Sequence, residues 1–207
     1  MDVFVPFDAD SPKSRLSSLF EPYERRGFAK AMLRDVLDAI DAAGLGPTVL
    51  ATADIDIDYP VLVDDRALST AVNAAIDDAG TPVAVVVADL PLASAAALER
   101  LVKPDAGVVL APGLGGGTNA MVVREPSFRA DYHGASIRDH RERARELGVE
   151  PAVVDSFRLA VDVDEPGDLA EVLLHGEGRS VAWLREAGVE LAVTDGRVGV
   201  ERSCQTS

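Results

Sequence analysis

Three aspartates stand where extended runs give out, and their chemistry is that of a hard-cation site. Val83-Ala84-Val85-Val86-Val87-Ala88-Asp89-Leu90-Pro91-Leu92 is an apolar run closed by an acid and a proline. That pattern predicts a strand buried on both faces of a parallel sheet. It brings Asp89 to the carboxyl edge, where open α/β sheets bind ligands, and Pro91 stops the ladder just beyond. The competing use of Asp89 is as cap of the helix expected over 94–101. A second acidic end closes a run read as strand over 159–163, where a period of two puts Asp162 and Asp164 on one face. Pro166 at a first helical position, capped by Asp164 or Glu165, is the purely structural alternative. Oxygen donors from two strand ends, without a His/Cys cluster, suit magnesium completed by water and substrate phosphates.

Phosphates also need positive charge. Ser11-Pro12-Lys13-Ser14-Arg15-Leu16 comes directly after the first strand, and from Ser11 to Arg34 the only acids are Glu21 and Glu24. Lys13 and Arg15, nearest the strand end, are the expected triphosphate contacts, while Arg25, Arg26 and Arg34 read as a solvated helix face. Gly113-Leu114-Gly115-Gly116-Gly117-Thr118-Asn119 offers close backbone approach and hydroxyl and amide donors for an anion, or equally a flexible turn. It has no P-loop lysine, and the residues from Ala120 onward read as strand, so neither the Walker nor the dinucleotide fingerprint applies. Ser136 is read as the cap of a helix over 136–147, a geometry that also serves anions, and His140 lies one turn on along the same face. With three histidines, no G-x-S-x-G elbow and one cysteine in a polar tail, nucleophilic triads find no support.

The elements that must position these groups alternate. Strands are expected over 3–6, 48–51, 61–63, 83–88, 107–111, 120–123, 152–154 and 159–163. Helices are expected over 22–43, 67–79, 94–101, 136–147 and 166–174, and a helix and short strand over 178–193. The clearest helix carries Phe28, Met32, Leu33, Val36, Leu37 and Ile40 as one stripe, with Gly44 as its stop. Alternation of this kind predicts one doubly wound α/β domain, with a hairpin or mixed-sheet portion after Ala120. A single domain over 1–202 and a disordered tail over 203–207 are expected.

Net charge is −15, from 35 acids against 20 bases, and lysine occurs only at Lys13, Lys30 and Lys103. Such a surface repels nucleic acid and anionic membranes, which argues against both as partners. An aspartate-rich, lysine-poor composition fits a high-salt cytoplasm, where screening shortens charge repulsion. No run approaches a membrane span and no basic leader precedes the first strand, so a cytoplasmic protein is expected, with a homodimer left open.

In order, Val5-Pro6-Phe7 with Pro12-Lys13-Ser14-Arg15-Leu16, Met32-Leu33-Arg34-Asp35-Val36-Leu37, Ala88-Asp89-Leu90-Pro91, Gly116-Gly117-Thr118-Asn119-Ala120, Ser136 with His140, and Asp162-Val163-Asp164-Glu165-Pro166-Gly167-Asp168-Leu169 resemble the archaeal 2-phospho-L-lactate guanylyltransferase family. The resemblance implies a nucleotidyltransferase of glycosyltransferase-A-like fold, with a mostly parallel mixed sheet and helices on both faces. It implies GMP transfer from GTP to 2-phospho-L-lactate, giving lactyl-2-diphospho-5′-guanosine and pyrophosphate in coenzyme F420 biosynthesis. By similarity Asp89, Asp162 and Asp164 hold magnesium, with Asp89 and Asp162 catalytic beside Lys13 and Arg15. Pro6, Phe7, Lys13, Arg15, Ser69 and Asp89 bind nucleotide. Gly117, Thr118, Asn119, Gly134, Ser136 and His140 bind the phosphorylated hydroxy acid. The chain departs from the family pattern at Asp8, where relatives carry lysine, and at Leu68-Ser69-Thr70-Ala71, where Leu-Asn-x-Ala is familiar. Related enzymes use phosphoenolpyruvate or 3-phosphoglycerate. The rivals are a nucleotidyltransferase for a molybdenum-cofactor precursor or sugar phosphate and, outside enzymes, a nucleotide-binding regulator.

Overall fold

Apolar runs too short for helices become the strands of a seven-stranded sheet. They are β1 (Asp2–Phe7), β2 (Gly46–Ala51), β3 (Val61–Val63), β4 (Val83–Val86), β5 (Val108–Pro112), β6 (Thr118–Val123) and β7 (Ala152–Val153), in the order β3-β2-β1-β4-β6-β5-β7. The computed structural model describes residues 1–203, so the expected tail lies, from Cys204 on, outside the described residues. β1 pairs in parallel with β2 and β4, β2 with β3, and β5 with β7; only β6 runs against its neighbours. This is the mixed, mostly parallel sheet expected, but its hairpin, β5 with β6, begins before Ala120 rather than after it.

Side chains alternate faces along each strand. Val3 and Val5, Ala84 and Val86, Val109 and Ala111 pack with α1 (Pro22–Ala42), α3 (Ala95–Val102) and Leu159. Phe4, Val83, Val85, Val108 and Leu110 face the other way, onto α2 (Leu68–Ala79) and α4 (Ser136–Glu146). Both faces are covered, as a parallel sheet requires. A third cluster joins Phe20, Phe28 and Met32 to α6 (Asp168–His175) and α7 (Arg179–Glu186), with the Trp183 ring 5.1 and 5.2 Å from those of Phe20 and Phe28.

From β1 the chain builds β2 and β3 on one side, then crosses to β4 on the other. The gap beyond the carboxyl ends of β1 and β4 is therefore a topological switch point. Four expectations are corrected here. The residues read as strand over 159–163 form a helical turn, α5 (Phe157–Ala160), and an extended loop. Val163 is buried and its N–H bonds only to the Asp89 carbonyl, so the period-two pattern reflects loop burial without a ladder. Beyond α7 the described residues form a hairpin of β8 (Val189–Thr194) and β9 (Arg197–Arg202); β9 is additional to the expected elements, although Asp195-Gly196, both at positive φ, is the turn such a ribbon prefers. Ser136 is not a cap, since Ala135 precedes the helix without a side-chain bond. Neither Asp164 nor Glu165 caps α6: its cap residue is Gly167, and Pro166 stays outside it.

Candidate active site

β4 ends at Val86, so Asp89 sits in the turn just beyond the strand rather than on its last residue. The helix cap is Ser94, whose hydroxyl accepts from Ala97 N–H, which leaves Asp89 for other use. Beneath it opens a cavity of about 350 Å³ at the switch point. Pro6 and Phe7 from β1, Leu50 and Thr52 from the end of β2, Asp64 and Arg66 after β3, and Lys13 and Asp89 line it.

Lys13 joins the halves of the site. Its backbone is left-handed, φ 56 and ψ 44, a conformation that costs a non-glycine residue roughly 1–2 kcal/mol. Its ammonium lies 2.6 Å from Asp89 Oδ2 and 3.0 Å from Asp164 Oδ1. Burial works to lower its pKa, and the Asp89 and Asp164 carboxylates outweigh it, so Lys13 titrates above its ordinary value. The sequence predicts a triphosphate contact for this side chain; the fold instead clamps it between two acids. Arg15, exposed, stands 3.5 Å from Asp164 on the outer side.

A loop fixed at both ends carries Asp162 and Asp164. Asp168 Oδ2 accepts the N–H groups of Asp164 and Glu165 at 2.8 and 2.7 Å, and Asn119 Nδ2 donates to the carbonyl of Leu159 at 3.0 Å and to Asp162 Oδ1 at 3.1 Å. Asn119, expected to touch substrate, is thus a brace for Asp162. Gly113 makes room for it: a Cβ there would collide with the Asn119 amide. Asp162 titrates above its ordinary value because burial disfavours its charge, against the Asn119 bond, with the nearby Asp89 and Asp164 charges adding to it.

The expected acceptor residues meet in a buried network. Ser136 Oγ accepts the Thr118 N–H at 2.9 Å and lies 3.3 Å from Thr118 Oγ1, which is 2.8 Å from His140 Nδ1. The Asp131 N–H donates to His140 Nε2 at 2.8 Å. Neutral His140 must then carry its proton on Nδ1 and donate it to Thr118. Burial, and secondarily Arg143, hold its pKa at about 4. His140 therefore orients Thr118 from inside the fold and has no exposed atom to offer a ligand. Gly117 leads into Thr118, Gly134 turns with φ +52 before the helix, and Ile137 N–H bonds the Gly116 carbonyl, so glycine loop and helix start are joined. Ser69 does not line the cavity; its hydroxyl accepts the Tyr132 N–H at 2.9 Å. Sequence reasoning misses Asp64 and Arg66, whose one signal is an acid directly after an edge strand.

The donor set fits a hard divalent cation. Asp89 Oδ1 is buried and has no hydrogen-bond partner, and the Asp89 and Asp164 charges are close enough to raise the proton affinity of Asp162. An orphaned carboxylate oxygen among acids is costly unless a cation completes it. As folded, among the described residues no three acids or imidazoles are gathered at ligand geometry, and the Lys13 ammonium supplies the positive charge.

The model of the family described as "Guanylyl transferase CofC like" matches residues 1–203. The chain belongs to this family. A 2-phospho-L-lactate guanylyltransferase of Halomicrobium mukohataei is 60% identical over 202 residues, covering 98% of this chain and 100% of that one. Its namesake in Haloferax volcanii is 60% identical over 203 residues, covering 98% of each. Among solved structures, a nucleotidyl transferase from Methanothermobacter thermautotroptrophicus superposes with TM-score 0.64 at 18% identity, over 90% of this chain and 99% of that one. A protein of Desulfovibrio desulfuricans G20 reaches TM-score 0.73 at 15% identity, over 89% and 94%. These likenesses establish the nucleotidyltransferase-like α/β fold for this member of the CofC-like family. Among its described residues no helix is long and apolar enough to cross a membrane.

Proposed function

We propose that this CofC-like protein transfers the guanylyl group of GTP to 2-phospho-L-lactate, forming lactyl-2-diphospho-5′-guanosine and pyrophosphate on the way to coenzyme F420. The observation that carries the reading is the acid cluster around Lys13 at the mouth of the switch-point cavity. The chemistry is in-line attack by a phosphate oxygen of the acceptor on the α-phosphorus of GTP: one P–O bond forms, the α–β bond breaks, and pyrophosphate leaves with the electron pair. The attacking oxygen is already anionic near neutral pH, so no general base is needed, and positioning and charge neutralisation suffice.

Asp89, Asp162 and Asp164 would hold magnesium, which when bound neutralises the phosphates and steadies the leaving group. Lys13, always charged in this setting, balances the acids in the free protein and turns toward the triphosphate as substrate enters. Arg15, exposed beside Asp164, meets the outer phosphates. The three-carbon acid lies against Gly117, Thr118, Gly134 and Ser136. Thr118 Oγ1 accepts from His140 and Ser136 and so keeps its own proton to donate to the acceptor's carboxylate. The decisive assay is pyrophosphate release from GTP and magnesium at high salt with 2-phospho-L-lactate, phosphoenolpyruvate and 3-phosphoglycerate offered separately. 2-Phospho-L-lactate should give the highest kcat/KM. No release with it, in folded protein, refutes the assignment.

A further inference from the structure

We propose that Asp64 reads the guanine base, accepting its N1–H and N2 amine together, and that Arg66 holds Asp64 in that geometry until the nucleotide displaces it. This rests on GTP being the nucleotide. Asp64 is the first residue past β3, and its own N–H bonds the Ala51 carbonyl at 2.9 Å, so its backbone is fixed to the sheet edge. Its side chain is only 12% exposed and lines the same cavity as Lys13 and Asp89. β3, β2, β1 and β4 are parallel neighbours, so Asp64 stands three strand spacings, about 14 Å, along one edge from the Asp89 turn. An extended nucleotide, measured from the pairing edge of its purine to its α-phosphate, bridges that gap with a contact distance of about 3 Å at each end.

The Arg66 pairing shows what Asp64 is shaped to bind. Arg66 Nε donates to Asp64 Oδ1 at 2.8 Å and Nη2 donates to Oδ2, a planar fork on both oxygens. The N1–C2–N2 edge of guanine is itself a guanidine and presents the same pair of parallel N–H donors. Adenine has no such edge. Arg66 is 53% exposed and has Asp65 and Asp78 as further acidic neighbours, so it can leave without being stranded. The pairing keeps Asp64 ionised, its pKa held at about 2 by the Arg66 hydrogen bonds, ready to accept. Pro6, Leu50, Leu68 and Ala71 give the cavity the apolar walls a flat base needs. Ser69, the residue the sequence suggests for this task, is occupied by Tyr132.

Asp64→Asn tests the assignment by inverting it. Asparagine keeps one acceptor and turns the other into a donor, which suits xanthine, whose C2 carries a carbonyl where guanine has its amine. Steady-state pyrophosphate release by the full chain should show GTP kcat/KM falling about 100-fold or more while XTP improves over wild type, so that the preference reverses. A wild-type GTP/XTP ratio in folded Asp64→Asn, whether both activities persist or fall together, overturns the proposal. Wild-type protein with ITP, which lacks the N2 amine, needs no variant: kcat/KM should drop about 10-fold or more, and equality with GTP overturns the proposal. Wild type that fails with GTP and every acceptor instead brings down the guanylyltransferase reading itself.

Discussion

Replacing His140 with glutamine or asparagine measures how much acid sensitivity one imidazole builds into the fold. His140 is fully buried, with its Nε2 lone pair facing the Asp131 N–H and its Nδ1–H facing Thr118. A second ring proton would set N–H against N–H at a fully buried ring, so burial and then Arg143 lower its pKa from 6.5 to about 4. The unfolded chain takes up this proton first as pH falls. The stabilisation tied to neutral His140 is thus complete above pH 6.5 and lost between pH 6.5 and about 4. The whole loss is about 3 kcal/mol, of which about 2 kcal/mol is gone by pH 5, before most carboxylates titrate. The assay is urea unfolding of wild type, His140→Gln and His140→Asn from pH 7.5 to 5 at fixed high salt. Each variant loses packing and one of the two hydrogen bonds, which offsets its stability by a constant; only the change with pH is compared. Wild type should lose about 2 kcal/mol more than either variant over this window. Parallel profiles would refute both the tautomer and the role given to His140.

Asp89→Asn and Asp162→Asn keep side-chain volume while removing charge, and each should lower turnover on the order of 10²-fold or more with the fold retained; near-native turnover in either takes that residue out of the cation site. Lys13→Ala takes the ammonium from Asp89 and leaves Asp164 with the exposed Arg15 alone. Its Tm should fall most in metal-free buffer and recover with magnesium, and its GTP kcat/KM should drop about 10- to 100-fold; a Tm deficit that magnesium leaves untouched contradicts the exchange of ammonium for metal. Asp35 in α1 caps α7 from across the fold, accepting the N–H groups of Arg179 and Ser180 at 2.7 and 2.9 Å. Asp35→Ala should cost about 1–2 kcal/mol in chemical unfolding with kcat unchanged, and no loss of stability would show that cap to be idle.

Much of this protein is written locally. The apolar stripe of α1, the runs that become β1, β2 and β4, and the acid just past β4 depend on residues near one another in sequence, because strand and helix periodicity are local properties. The family motifs are of the same kind, which is why the nucleotidyltransferase-like fold can be named from short segments in order. Where local pattern and tertiary need diverge, the sequence misleads. Leu159, Val161 and Val163 alternate like a strand, yet they join no strand of the sheet and fold as a turn and a braced loop. Ser136 has the chemistry of a cap, but the Thr118 amide, 18 residues away, claims its hydroxyl first.

The site itself is decided only by the tertiary structure. Lys13 meets Asp89 across 76 residues and Asp164 across 151, in a left-handed turn that nothing in Pro12-Lys13-Ser14 announces. Asp64 becomes a cavity wall because β3 lies beside β2 at the sheet edge, and Asn119 turns from ligand candidate to brace because Asp162 passes beneath it. Which face a residue occupies is set by its neighbours along the chain. Which charge it meets is set by the order of strands, and that order comes from the long-range packing of both sheet faces.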